Sequence, residues 1–172
     1  MGTKGLILDM RGYPQTGIQW TLVPRITDKP VHTTTWEIPV VSDRDRKRSV
    51  IDSYFRWVEP DAASHYDNPI VVLIDDRAQS AAEDFCIYLR NAKRATFVGS
   101  TTAGTDGNIT FIALPAGRRM SFTGMRVKFA DGSRFQNIGI IPDVKGEPTI
   151  KGVRAGRDEV LERGLEVLRS LL

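Results

Sequence analysis

The sequence predicts an α/β fold with a mixed sheet, on three observations. Ile70-Val71-Val72-Leu73-Ile74 is an unbroken apolar, largely β-branched run, the pattern of a central strand covered on both faces. Ser80 to Arg94 follows with helical spacing: Ala81, Phe85 and Leu89 share one face, with Ala82 and Cys86 beside it. Thr96-Phe97-Val98 then returns as a second strand, completing a β-α-β unit that is expected to cross over right-handed.

The remaining elements follow in chain order. Leu6-Ile7-Leu8 is a short buried strand that stops at Asp9 and meets Gly12 and Pro14 in a turn. Gly17 to Ile26 is ambiguous, and Pro24 would break or end any helix there. Val31 to Val41 is rich in Thr, Val, Ile and Trp and reads as extended. Ser42 to Asn68 mixes charge with aromatics and is expected to be a long excursion with one short amphipathic helix near Val50 to Val58. Asn108–Leu114 and Arg119–Phe129 read as strands, with turns at Pro115-Ala116-Gly117 and Asp131-Gly132-Ser133. A last helix, Asp158 to Leu172, carries Leu161, Leu165, Leu168 and Leu172 on one stripe.

Bulk properties narrow the function classes. A chain of 172 residues is one domain in size and can bury a core without disulfides or metal. The net charge of +3 is small, and acidic residues interrupt the densest basic run, Arg44, Arg46, Lys47 and Arg48. That run reads as a solvated loop, because nucleic-acid binding needs a sustained basic face. The single cysteine, Cys86, excludes an internal disulfide and reads as a small buried hydrophobe. No apolar stretch reaches the roughly 18 residues of a membrane-spanning helix. No spacing of His, Cys and carboxylates reads as a metal site, and no cofactor motif is present: a phosphate loop would need a Gly-Lys-Ser/Thr that is missing. Met1-Gly2-Thr3-Lys4 runs almost directly into a buried strand, so residues 1–172 are expected to be a single domain cut from a longer protein.

Chemistry concentrates where the strand at 70–74 passes through Asp75-Asp76-Arg77-Ala78-Gln79 to Ser80-Ala81-Ala82-Glu83. A serine opening a helix sits beside free backbone N–H groups and the helix's partial positive charge. The amide of Ala81 is placed to donate into an oxyanion hole. The same four residues also fit a capping box, in which serine and glutamate satisfy orphan N–H groups. Local spacing alone favours the cap.

A resemblance spread along the chain favours catalysis. Leu6-Ile7-Leu8-Asp9-Met10-Arg11-Gly12-Tyr13-Pro14 resembles a strand-and-turn motif of the C-terminal-processing (tail-specific) serine proteases, including their tricorn-like branch. Gln79-Ser80-Ala81-Ala82-Glu83 is similar to that family's nucleophile motif, and Val98-Gly99-Ser100-Thr101-Thr102-Ala103-Gly104-Thr105 to the loop after the nucleophile helix. Asp131-Gly132 and Gly139-Ile140-Ile141-Pro142-Asp143 resemble the terminal signature, so the motifs run from residue 5 to residue 144. The resemblance implies a crotonase/ClpP-like β-β-α fold and hydrolysis of peptide bonds in proteins or unfolded chain ends. It also implies an exported protein and leaves an oligomer open. Ser80 would be the nucleophile, Ala81 and Gly12 the oxyanion donors, and Gln79, Glu83, Thr102, Gly104, Thr105 and Gln136 the lining of the site.

Four departures qualify the match. The lysine that many members place in the loop after the helix is Thr105 here. His32 and His65 do not match the position of the tricorn-like histidine and read as structural, so the base is expected upstream of Met1. Gly12 is followed by Tyr13-Pro14-Gln15, of which Pro14 has no N–H to give while Gln15 has one; a turn glycine with positive φ is the bland alternative for Gly12. Gln136 stands near the place of a supporting glutamate and supplies no charge. Two rival readings remain: a catalytically dead peptide- or ligand-binding module, and an acyl-thioester enzyme of crotonase type that would not need Ser80.

Overall fold

The computed structural model describes residues 2–14, 17–43, 45 and 49–172. The basic residues Arg44, Arg46, Lys47 and Arg48, and Gln15, lie outside the described residues. Four parallel strands form the centre: β1 (Leu6–Asp9), β6 (Ile70–Ile74), β7 (Thr96–Gly99) and β11 (Val144–Lys145), in the order β1-β6-β7-β11. Leu6 pairs with Ile70, Val71 with Thr96 and Val98 with Val144. Helix α2 (Ala81–Ala92) covers one face of this sheet, backed by α1 (Ile18–Ile26), and α4 (Glu159–Ser170) covers the other.

Alternation along β6 divides the core. Ile70, Val72 and Ile74 join the α2 cluster with Phe85, Leu89 and Phe97, whereas Val71 and Leu73 join Val98, Val160 and Leu168 under α4. Both faces are apolar because both are covered, as expected for a parallel strand. Close approach fixes two glycines. A Cβ on Gly164 would come within 2.6 Å of Leu73 Cδ2, and one on Gly99, at φ +136°, within 1.9 Å of the Ile74 carbonyl oxygen.

Antiparallel pairing is segregated into smaller sheets. β2 (Val31–His32) pairs with β5 (Trp57–Val58); β3 (Thr35–Val41) lies between β4 (Ser49–Tyr54) and β10 (Arg126–Lys128); β8 (Ile109–Ala113) forms a hairpin with β9 (Arg119–Thr123). The fold is therefore α/β with both kinds of pairing.

Several expectations change. The helix expected near Val50 to Val58 is strand β4 followed by β5: Val50, Ile51 and Tyr54 pair with Val40, Pro39 and Trp36 of β3. Their β-branched and aromatic side chains suit a pleated surface better than a helix. Residues 18–26 form helix α1, which runs two residues past Pro24, whose carbonyl accepts a bond from Asp61 N at 2.7 Å. The strand expected over 119–129 breaks at Gly124-Met125, so β9 and β10 join different sheets. The short helix α3 (Ile150–Arg154) carries no marked sequence signal; Thr149 caps it by accepting from Gly152 N. Asp158 caps α4 by accepting from Leu161 N, while Leu172 falls beyond the helix and is exposed.

Candidate active site

The parallel sheet delivers the strand-end loops of β6 and β7 to the head of α2. Ala78 N bonds to Asp75 O and Ala82 N to Gln79 O, so residues 75–82 make two tight turns between strand and helix. At their junction Ser80 adopts φ 51°, ψ −115°, a backbone conformation that side-chain-bearing residues rarely hold. Such strain costs about 1–3 kcal/mol and persists only where the surroundings impose it, often at sites of chemistry. Ser80 is half-buried, Gln79 exposed and Ala81 half-buried.

The capping-box arrangement is present but incomplete as a hydrogen-bonded cap. Glu83 Oε2 accepts from Ser80 N at 3.3 Å, and the Ser80 oxygen faces Glu83 N in the capping-box arrangement without closing a full cap hydrogen bond. Among the described residues no acceptor pairs with Ala81 N–H. Helix α2 thus begins with a half-buried hydroxyl and an adjacent free amide at its positive end.

Glu83 is the hub beneath them. It is fully buried, and its Oε1 accepts from Thr102 Oγ1 at 2.5 Å and Gly104 N at 2.6 Å. Its Oε2 accepts from Thr105 N at 2.8 Å as well as from Ser80 N. Charged acceptors make the stronger protein hydrogen bonds, and here one carboxylate ties the 102–105 loop to the serine's turn. Further bonds hold the loop: Ala103 N to Ala78 O, Ile140 N to Thr102 Oγ1 and Asn137 N to Gly104 O. Gly104, at φ +66°, has backbone nitrogens of residues 137–139 about where a side chain would begin, at 3.0–3.1 Å.

Of the residues singled out by sequence, Ser80, Ala81, Glu83, Thr102, Gly104 and Thr105 are thus brought together, with Gln79 in the preceding turn. Gln136 is adjacent but committed elsewhere. Its Nε2 donates to Asp106 O and Met125 O, and its Oε1 accepts from Val127 N, so its amide braces backbone. Gly12 lies exposed beyond β1 without the left-handed φ proposed for a turn glycine, so no positive φ explains it. It borders a small surface depression with Asp9, Arg11, Arg77 and Asp158. Beside it Arg11 pairs with both Asp9 and Asp158 at 2.7 Å, which raises its own basicity and holds Asp158 down to about 2.

Neither histidine is near this end of α2. Asn91, in the last turn, donates to His32 O, and Arg94 beyond it donates to the carbonyl of Tyr66, next to His65. Eleven residues separate Ser80 from Asn91, about 16 Å along a helix. His32 stacks on Phe55 and bonds to Thr33 O, and His65 pairs with Asp67. These are structural roles. Cys86 is fully buried, and burial pushes its thiol well above the usual range.

Three residues that the sequence does not single out complete the surroundings: Asp84, Tyr88 and Asp106. Asp84 accepts from Thr34 Oγ1 at 2.6 Å, and burial lifts its carboxyl to about 6. Burial, with Asp84's charge, pushes Asp106 up to about 8. The one sequence signal is the four-residue spacing of Ser80, Asp84 and Tyr88, which stacks them along α2.

The model of peptidase family S41 matches residues 1–146. A Chlamydia trachomatis protein is 30% identical over 122 residues, covering 69% of this chain and 20% of the relative. A carboxy-terminal-processing protease of Bartonella bacilliformis is 27% identical over 158 residues, covering 92% of this chain and 34% of that protein. A Parabacteroides merdae protein solved as a candidate peptidase superimposes with a TM-score of 0.80 at 22% identity, covering 96% of this chain and 52% of that one. The chain spans about a fifth of the length of the first two chlamydial relatives it matches.

Proposed function

The chain belongs to peptidase family S41, and we propose that it is the serine-bearing part of a peptidase that cleaves protein or peptide chains through an acyl-enzyme on Ser80. Ser80 Oγ would attack the scissile carbonyl, and Ala81 N–H would receive the negative oxygen. A second oxyanion donor from the Gly12 turn belongs to the proposal, as does a base supplied from outside these residues. An unactivated serine is a poor nucleophile, so residues 1–172 alone should be nearly inert. No cofactor enters the scheme. An exported location, and any assembly into oligomers, rest on family likeness.

The observation that carries this reading is the strained Ser80 backbone beside an unpaired Ala81 N–H at the head of a buried helix. A serine serving only as a cap would adopt an ordinary extended backbone and spend its oxygen on the first turn. The test is cleavage of an unfolded protein by the full-length enzyme. Ser80→Ala should lower the rate by about a thousandfold or more. Cleavage unchanged by the substitution would remove Ser80 from the mechanism.

Two observations favour the rival binding module: Thr105 fills the place of the family's lysine, and both histidines lie at the far end of α2. The same assay separates the two, since a binding module would retain peptide without turning it over.

A further inference from the structure

Three carboxyl groups lie buried within one helical turn and one loop of Ser80. Glu83 is fully buried, Asp106 is 5% exposed and Asp84 8% exposed. Among the described residues none of the three forms an ion pair. Their hydrogen bonding is unequal. Glu83 has four donors, and Asp84 has Thr34. Asp106 uses Oδ1 to accept from its neighbour Gly107 N at 2.8 Å, while Oδ2 is sealed from solvent with no partner. The Tyr88 hydroxyl, also buried, has no partner in hydrogen-bond geometry among the described residues, although burial and the nearby Asp84 raise its basicity.

An ionised carboxylate cannot be held in such a place cheaply. Leaving a buried charge unpaired is strongly unfavourable, and like charges nearby add to the cost. The groups around Asp106 supply no relief. Helix α2 presents Glu83, Asp84 and Tyr88; the Thr33-Thr34 link presents a hydroxyl already given to Asp84; Gln136 binds the Asp106 carbonyl rather than its carboxyl. Arg56, the cation that acts on Tyr88, has its guanidinium over the Trp20 ring. A proton resolves the conflict by removing the charge, so that the carboxyl can stay buried without a counter-ion.

We propose that Asp106 works as a neutral, protonated acid, a positioning residue whose lack of charge lets the 102–107 loop stay buried against helix α2 beside Ser80. Asp106 lies between two fixed points, the Glu83 clamp on residues 102–105 and the Gln136 brace on the Asp106 carbonyl. Its consequence for catalysis rests on the peptidase reading; the proton itself does not.

The linkage has a definite sign. Asp106 holds its proton up to about pH 8 when folded and releases it near 3.8 when unfolded. Its contribution is complete below the lower value and is lost as pH rises through the higher one. Asp84 adds the same trend only up to about pH 6. Between those two values the folding equilibrium should weaken about tenfold per pH unit on account of Asp106.

The experiment measures denaturant unfolding of the full-length protein against pH, with fluorophosphonate labelling of Ser80 in parallel, for wild type, Asp106→Asn and Asp106→Ala. Asparagine is neutral at every pH, so it should abolish that slope, label normally at neutral pH and keep labelling into alkali. Alanine leaves Gly107 N–H unpaired and should slow labelling throughout. A slope unchanged in Asp106→Asn, or labelling as poor as in Asp106→Ala, overturns the proposal. The slope is read without reference to Ser80, so a failure of the peptidase assignment would be distinguishable.

Discussion

Strands β6 and β8 are both five residues long and mainly apolar, and they meet opposite fates. Ile70-Val71-Val72-Leu73-Ile74 is at most 2% exposed, whereas every residue of Ile109-Thr110-Phe111-Ile112-Ala113 is exposed. The difference lies in what covers them. β6 has a strand on each side, α2 on one face and α4 on the other. Among the described residues β8 has one partner strand and neither face covered, a state that is marginal for a hairpin on its own. Apolar content therefore does not decide burial; neighbours do. The site rides on the covered region, because the loops that follow β6 and β7 carry Ser80 and the residues clamped by Glu83.

The contrast can be broken at each end. Leu73→Ala should have the largest effect. It opens a cavity between β6 and Gly164 of α4, and such truncations cost about 2–5 kcal/mol. Denaturant midpoints should fall accordingly. A loss below about 1 kcal/mol would mean that α4 does not cover the sheet as described. Phe111→Ser, at a position 64% exposed, should stay within about 0.5 kcal/mol in the same measurement. A large loss there would show that the hairpin is covered in the full-length protein, and would sharpen the comparison by supplying the missing neighbour.

The same contrast explains what the sequence could show. The run at 70–74 and the spacing of Phe85 and Leu89 were legible because burial on all sides leaves a local signature. The stretch from Val50 to Val58 was not, since its aromatics fit either period and the deciding partner, β3, lies elsewhere in the chain. At the site, Ser80-Ala81-Ala82-Glu83 announced a helix start, and the motif likeness drew in Thr102, Gly104 and Thr105. The Glu83 hub itself was hidden, because three of its four donors lie 19–22 residues away. Asp106 was wholly silent: an oxygen without a partner is a fact about the folded interior, and no spacing encodes it. Gln136 could be placed near the site, but not its commitment to backbone.

The central claim is that the Ser80 hydroxyl can attack while Ala81 N–H receives the negative oxygen. A fluorophosphonate mimics that attack and leaves a covalent mark. Intact-mass and peptide analysis of the treated full-length protein should find a single phosphonyl group on Ser80, absent from Ser80→Ala. No adduct, or one undiminished by the substitution, would contradict the account.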